Sequence, residues 1–245
     1  MMEQQTPWAL VTGASGSIGQ AISRALASAG VPLYLHYNQS ADKLAPILQL
    51  CQDLGVPVQT LQADLRDPDQ INRMFQHIQV PPLLLVNNAS ADHVGLFTDV
   101  SVPLFDEMVA LNIRSSFLIT QQALPAMLRE RYGRIVNITS VWGMTGGSCE
   151  VLYSLTKGAL NTFTKALAKE MAPNGITVNA VAPGAIQGGM MERFSPDEVE
   201  AIADEIPANR LGRPEEVAAV VRFLLSRDAS YLTGQIVSPN GGWYT

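Results

Sequence analysis

The sequence predicts an α/β domain with a mainly parallel seven-stranded sheet and helices on both faces. Two observations carry this expectation. Short apolar runs alternate with helical patterns from one end of the chain to the other, the mark of right-handed βαβ units. No internal repeat and no linker breaks the alternation, so the 245 residues read as one domain spanning 1–245. An apolar content of 47% supplies a core for such a sheet.

Strands are expected near 8–12, 32–37, 57–63, 83–87, 133–139, 176–181 and 235–238. Helices are expected near 17–29, 41–54, 68–78, 103–130, 152–172, 197–204 and 214–226. The first strand feeds a glycine-rich turn, Gly13-Ala14-Ser15-Gly16-Ser17-Ile18-Gly19, and then a helix with Ile18, Ile22, Ala25, Leu26 and Ala29 on one face. Glycines there let the backbone bend sharply and approach a pyrophosphate at the helix N-terminus, which makes the unit Rossmann-type. Alone, the same turn also fits an ordinary βα connection. Leu83-Leu84-Leu85-Val86 reads as a central buried strand. The stretch 187–210, with Met190, Met191 and Phe194, reads either as a mobile lid or as a packed excursion.

The chemistry gathers after the fifth strand. Ser140 ends the run Arg134-Ile135-Val136-Asn137-Ile138-Thr139, and Tyr153 and Lys157 stand four apart at the start of a helical pattern. That spacing puts both side chains on one helix face. A phenol titrates near ~10 and is a poor acid–base group at neutral pH. A neighbouring ammonium favours the phenolate and lowers that value. A hydroxyl at the carboxyl end of a strand can bond a substrate oxygen beside the phenol. An isolated Y-x-x-x-K also fits an exposed helix pair.

Composition narrows the class. A net charge of −6 argues against nonspecific binding of nucleic acid. No apolar run is long enough to span a bilayer. Met1-Met2-Glu3-Gln4-Gln5 lacks a basic and apolar leader, and two cysteines, Cys51 and Cys149, make no disulfide framework. A reducing cytoplasm is the expectation. Metal-ligand spacing is absent, and His36, His77 and His93 are scattered, so each reads as structural. Charged residues make up only 16%, so other subunits are expected to cover part of the surface.

In this order, the glycine turn and the Ser–Tyr–Lys set resemble the short-chain dehydrogenase/reductases, over nearly the whole chain. Thr12-Gly13-x-x-x-x-Ile18-Gly19 is similar to the family's cofactor loop, which brings in Ser15 and Ser17. Ala63-Asp64, with Leu65, is similar to its adenine contact, and Asn87-Asn88-Ala89 to its N-N-A-G motif. Pro183-Gly184, with Ile186, is similar to the loop beside the nicotinamide. Arg213 to Ala218 and Thr233 to Gly242 resemble the tail of 3-oxoacyl-acyl-carrier-protein reductases. The resemblance implies that Asn112, Ser140, Tyr153 and Lys157 are catalytic. It also implies that Tyr153 and Lys157 hold the cofactor, and that Asn112 holds a water linking Lys157 to solvent. Three positions depart from the pattern. Ser17 stands at the family's middle glycine, with Gly16 one earlier; Ser90 replaces the last glycine of N-N-A-G; and Gly188-Gly189 replaces a threonine-bearing pair that bonds the cofactor.

Cofactor choice turns on the end of the second strand. An NAD site usually has a carboxylate there for the ribose. Here Tyr37 and Asn38 hold that place, with Ser40 and Lys43 following, so nothing repels a 2′-phosphate and NADPH is expected. Trp142, Cys149 and Glu150 lie between Ser140 and Tyr153, where similar enzymes line the substrate mouth, and Asp92 and His93 are candidates for the same mouth. An aromatic face and a carboxylate can seat an ammonium group; packing for Trp142 and solvation for Glu150 is the bland reading.

The run from Val141 to Ser154 resembles a narrower subgroup, the elongation factor P 5-aminopentanone reductases, which would make a lysine-borne ketone on that factor the substrate. A 3-oxoacyl thioester on an acyl carrier protein is the rival, with Arg129, Arg131 and Arg134 as part of a basic docking surface. A noncatalytic NADP-binding regulator is the alternative of another class. The helical patterns carry apolar residues beyond one face, Met108, Leu111, Phe117, Leu118 and Leu124, then Leu160, Phe163 and Leu167, implying a homotetramer as in similar enzymes.

Overall fold

The computed structural model describes residues 6–244; the stretch Met1–Gln5, read above for a leader, and Thr245 lie outside the described residues. Seven strands form one sheet: β1 (Ala9–Val11), β2 (Leu33–Tyr37), β3 (Val58–Gln62), β4 (Leu84–Asn87), β5 (Gly133–Ile138), β6 (Ile176–Val181) and β7 (Ile236–Val237). Their order is β3-β2-β1-β4-β5-β6-β7, and every pairing is parallel. The chain walks outward from β1 to β3, then crosses back to lay β4 against β1. That reversal opens a crevice at the carboxyl ends of β1 and β4, where doubly wound sheets bind ligands.

Neighbouring strand residues serve opposite layers. Val11 and Val86 join Ile22 and Leu26 of α1 (Ser17–Ser28), Ile47 of α2 (Ala45–Leu54), and Val221 and Leu224 near the C-terminus. Leu10 and Leu85 join Ile71 and Met74 of α3 (Pro68–Gln76) and residues of two long helices on the other face. Burial on both faces is why β4, β5 and β6 are apolar almost throughout. Truncating such a side chain, Leu85→Ala for example, costs about 2–5 kcal/mol.

The helix expected over 103–130 is three segments: α4 (Val102–Val109), a π turn over Ala110–Arg114, and α5 (Ser115–Glu130). Beyond β5 come a one-turn α6 (Trp142–Thr145), α7 (Val151–Met171), α8 (Pro196–Glu205) and α9 (Pro214–Leu225). Of the residues expected to stand clear of the core, Met108 and Leu160 are buried within it, and Leu111, Leu118, Leu124 and Leu167 pack against it. Phe117 is exposed, together with Val102, Phe105 and Leu155. No helix among the described residues is long and apolar enough to cross a membrane.

Candidate functional site

A cleft of about 1050 Å³ lies over the crevice. Its floor is fixed by backbone-directed bonds. Thr12 Oγ1 accepts from the Asn88 and Ala89 amides at 2.9 and 3.0 Å. Asn88 Nδ2 returns to the Thr12 and Gly13 carbonyls at 2.9 and 3.0 Å. The glycine turn is thus stapled to the end of β4. Gly13 has φ +62°, and a Cβ on it would lie 2.9 Å from Ala89 Cα, so no larger residue fits that approach. A second tie was missed in the sequence. Buried His36 accepts from the Gly13 amide at Nδ1 and meets the Ala63 carbonyl through Nε2, both at 3.0 Å. Burial lowers its pKa to about 4, so the ring is the neutral Nε2–H tautomer. A histidine inside an apolar strand was the available signal.

Beneath the floor, Asn87 Nδ2 donates to Thr120 Oγ1 and Asn137 Oδ1, and Asn137 Nδ2 donates to Thr164 Oγ1. This buried chain ties β4 and β5 to α5 and α7, and every link needs its partner.

Tyr153 and Lys157 lie in the first turns of α7. Lys157 is buried, donates to the Ile138 carbonyl at 2.9 Å, and sits 5.5 Å from the Tyr153 ring centroid. α6 packs tightly enough on α7 to hold it because Gly143 lacks a side chain; a Cβ there would meet the Lys157 backbone at 2.7 Å. The electrostatics differ from expectation. Burial pushes the Tyr153 phenol above its ordinary value, with the Ser140 hydroxyl pulling the other way. Burial likewise lowers Lys157 to about 7. Desolvation outweighs the charge effect, and Tyr153 is held protonated at neutral pH.

Asn112 lies in the π turn, a common place for functional residues. Its Nδ2 donates to the Ala91 carbonyl and Thr156 Oγ1, and its Oδ1 accepts from the Ala91 amide. It does not line the cleft. Through these bonds its side chain ties the β4 loop to α7.

At the mouth, Glu150 is the N-cap residue of α7 and receives the Trp142 indole N–H at 3.1 Å. Burial raises the Glu150 pKa, while Arg193 lowers it. Trp142 packs against Trp243 at 5.0 Å, and a Cβ on Gly147 would touch its ring at 3.0 Å. Packing thus engages part of the ring, and the indole N–H is spent on Glu150. Arg193, the last residue of the 3-10 turn Gly189–Arg193, pairs with Asp92 across the mouth.

The cleft gathers Gly13, Ser15, Ser17, Ile18, Gly19, Asn38, Asp64, Leu65, Asn88, Ala89, Ser140, Trp142, Glu150, Tyr153, Lys157, Pro183, Gly184 and Ile186 as expected. Four expected residues are elsewhere. Tyr37 packs on the core and Ser40 lies beyond the wall; Asn38 and Gln39 face the cleft instead. Cys149 is exposed at φ +60°, its carbonyl bonded by the Gly95 amide, and Asn112 lies behind the wall. His93 is also off the cleft, whereas Asp92, Met190, Met191 and Phe194 line it. Arg66 and Arg193 were missed. Arg66 grips the Asp64 carboxylate through Nε and Nη2, which holds that carboxyl below its usual value. Arg193 meets a partner 101 residues away, so no local pattern announces it. Among the described residues no group of three or more His, Cys, Asp or Glu could hold a metal ion.

A glycine turn stapled at the reversal of a doubly wound sheet, with room for a dinucleotide and a small substrate, fits a nicotinamide cofactor. The class defined is an oxidoreductase. The family model described as enoyl-(acyl carrier protein) reductase matches residues 13–244. The chain is 51% identical to the uncharacterized oxidoreductase YmfI of Bacillus subtilis, over 96% of this chain and 98% of that one. It is 41% identical to the 3-oxoacyl-[acyl-carrier-protein] reductase FabG of Aquifex aeolicus, over 96% of each. The solved 3-oxoacyl-[acyl-carrier protein] reductase of Brucella melitensis superposes with a TM-score of 0.91 at 30% identity, covering 98% of this chain and 91% of that one. The chain belongs to the short-chain dehydrogenase/reductase family.

Proposed function

We propose that the protein is an NADPH-dependent reductase of a ketone that carries positive charge near its carbonyl, the aminopentanone on a lysine of elongation factor P being the candidate. One observation carries the substrate half of this reading: Glu150, a half-buried carboxylate three residues before Tyr153, lines the cleft, and Asp92 lines it too. A desolvated carboxylate gains from an incoming cation. The place of Ser140, Tyr153 and Lys157 on the cleft wall, with the Lys157 ammonium 5.5 Å from the Tyr153 ring centroid, supports their roles. The bound nicotinamide supplies the hydride. Ser140 orients the carbonyl, Tyr153 gives its proton to the carbonyl oxygen, and Lys157 supports the phenolate left behind. The uncharged Asn38 and Gln39 at the cleft support NADPH over NADH, to be read from kcat/KM with each. The exposed Phe117, Phe105 and Leu155 support a homotetramer, checked by light scattering at micromolar concentration.

The second reading is a 3-oxoacyl-acyl-carrier-protein reductase, favoured by relatives of that name at 36–41% identity. Its docking surface loses one expected member: Arg134 is buried and spends its guanidinium on the Gly133, Gly175 and Ser226 carbonyls. The intact Ser140, Tyr153 and Lys157 speak against a noncatalytic regulator. Rates with aminopentanone-bearing elongation factor P and with an acetoacetyl thioester, side by side, decide between them. Glu150→Gln is expected to slow the cationic ketone about five- to thirtyfold, equivalent to about 1–2 kcal/mol, and to spare the neutral one. Equal slowing of both makes Glu150 structural.

A further inference from the structure

Two departures from the family pattern, far apart in the chain, meet in space. Ser17 stands where the pattern has glycine, and Gly188-Gly189 stand where it has a threonine-bearing pair. A Cβ on Gly188 would lie 3.3 Å from Ser17 Cβ, and one on Gly189 would lie 3.0 Å from Ser17 Oγ. Both contacts are tighter than ordinary van der Waals packing. The two glycines have φ of +79° and +54°, a region that strains a β-branched residue. The 188–189 backbone comes this close to Ser17 only as glycine.

The polar groups at this corner are few. Ser17 is the first residue of α1, and its N-cap, Gly16, offers no side chain to the helix amides. The first amides of a helix lack intrahelical partners and favour an anion. The Gly189 amide is taken by Glu192 Oε1 at 3.2 Å. Ser17 faces the cleft, and its hydroxyl is the side-chain donor that this meeting point contributes.

We propose that Ser17 and Gly188-Gly189 form one reciprocal unit. In it the Ser17 hydroxyl donates to a diphosphate oxygen of the dinucleotide, from α1, replacing the hydroxyl absent from the adjoining 188–189 backbone. This rests on the cofactor reading above. The exchange moves the donor from one side of this contact to the other; the glycines make room for it. A hydroxyl-to-phosphate bond is charge-assisted and stronger than a neutral one.

The test is NADPH affinity by fluorescence titration, with the thermal midpoint measured without nucleotide as the control. Ser17→Ala is expected to weaken NADPH about tenfold, equivalent to about 1.4 kcal/mol, and to leave the nucleotide-free midpoint unchanged. Gly188→Thr is expected to weaken binding on its own, and at least threefold less in the Ser17→Gly background, where the opposing side chain is gone. If Ser17→Ala binds NADPH as tightly as the unaltered protein, the donor assignment fails. If Gly188→Thr does the same harm in both backgrounds, the reciprocity fails. An unaltered protein without affinity for NADPH would sink the cofactor reading and this proposal with it; tight binding by the unaltered protein keeps the two failures apart.

Discussion

Thr12, beneath the cleft, and Arg193, over its mouth, make their contacts in opposite ways. Thr12 is buried, donates to the Val86 carbonyl and accepts from two backbone amides. Arg193 reaches Asp92 with a side chain that is 38% exposed. The floor is held by backbone groups gathered on buried Thr12, and a backbone donor left without its partner is expensive. Over the mouth the Arg193–Asp92 pair is partly exposed, and a pair of that kind adds about 1 kcal/mol or less. Even α8 is fastened at its start by an exposed capping box, Ser195 with Glu198. A floor tied in this way keeps the reacting groups in register.

The largest effect should come from the floor's chemistry. Tyr153→Phe is expected to lower kcat by at least about 100-fold while leaving the fold and NADPH binding intact; circular dichroism and titration check the latter. More than a few per cent residual rate removes Tyr153 as proton donor. Next is Thr12→Val, which strands the Asn88 and Ala89 amides. It should cost about 2–4 kcal/mol, or roughly 5–15 °C in Tm. A loss no larger than that of a surface substitution would erase the contrast between floor and lid.

His36 gives a comparable effect through pH. Its folded pKa, about 4, lies below the ordinary 6.5. Between those values the unfolded chain binds a proton that the folded one excludes. Stability is therefore full above pH 6.5 and falls as pH drops towards 4, by about 3 kcal/mol in all. His36→Gln should flatten that slope in urea titrations from pH 7 to 4.5; an unchanged slope places the titrating group elsewhere. The smallest effect belongs to the lid. Arg193→Ala should change stability by under about 1 kcal/mol and shift KM more than kcat. A Tm loss matching that of Thr12→Val would erase the contrast between the floor and the ion pair over the mouth.

The strands were foreseen to within a residue or two because apolar runs in a covered sheet are continuous and sharply bounded. Tyr153 and Lys157 were foreseen because four-residue spacing fixes a shared helix face. What escaped had no periodic trace. α6 is a single turn, too short to show a period. Tyr37 was assigned to the cleft, but the wall there belongs to the two residues after it, a parity that a strand's end does not announce. Cys149 is a neighbour of Glu150 in the chain, yet its positive φ turns the backbone away. The Asp92–Arg193 and Ser17–Gly188 meetings are purely tertiary.

The π turn at Ala110–Arg114 has a consequence for insertions and deletions. It places one extra residue between α4 and α5, and one residue rotates a helix by about 100°. That rotation lets Met108 pack beside Tyr153 while Ile119, Ala123 and Met127 reach the sheet. A helix without the extra residue could satisfy only one of the two sets. Deleting a single residue here would swing α5's apolar stripe off the sheet and pull Asn112 from Ala91 and Thr156 at one stroke. Packing therefore constrains chain length across 110–114 more tightly than the identity of its exposed side chains, and a one-residue deletion there should lower Tm more than one in a connection outside it.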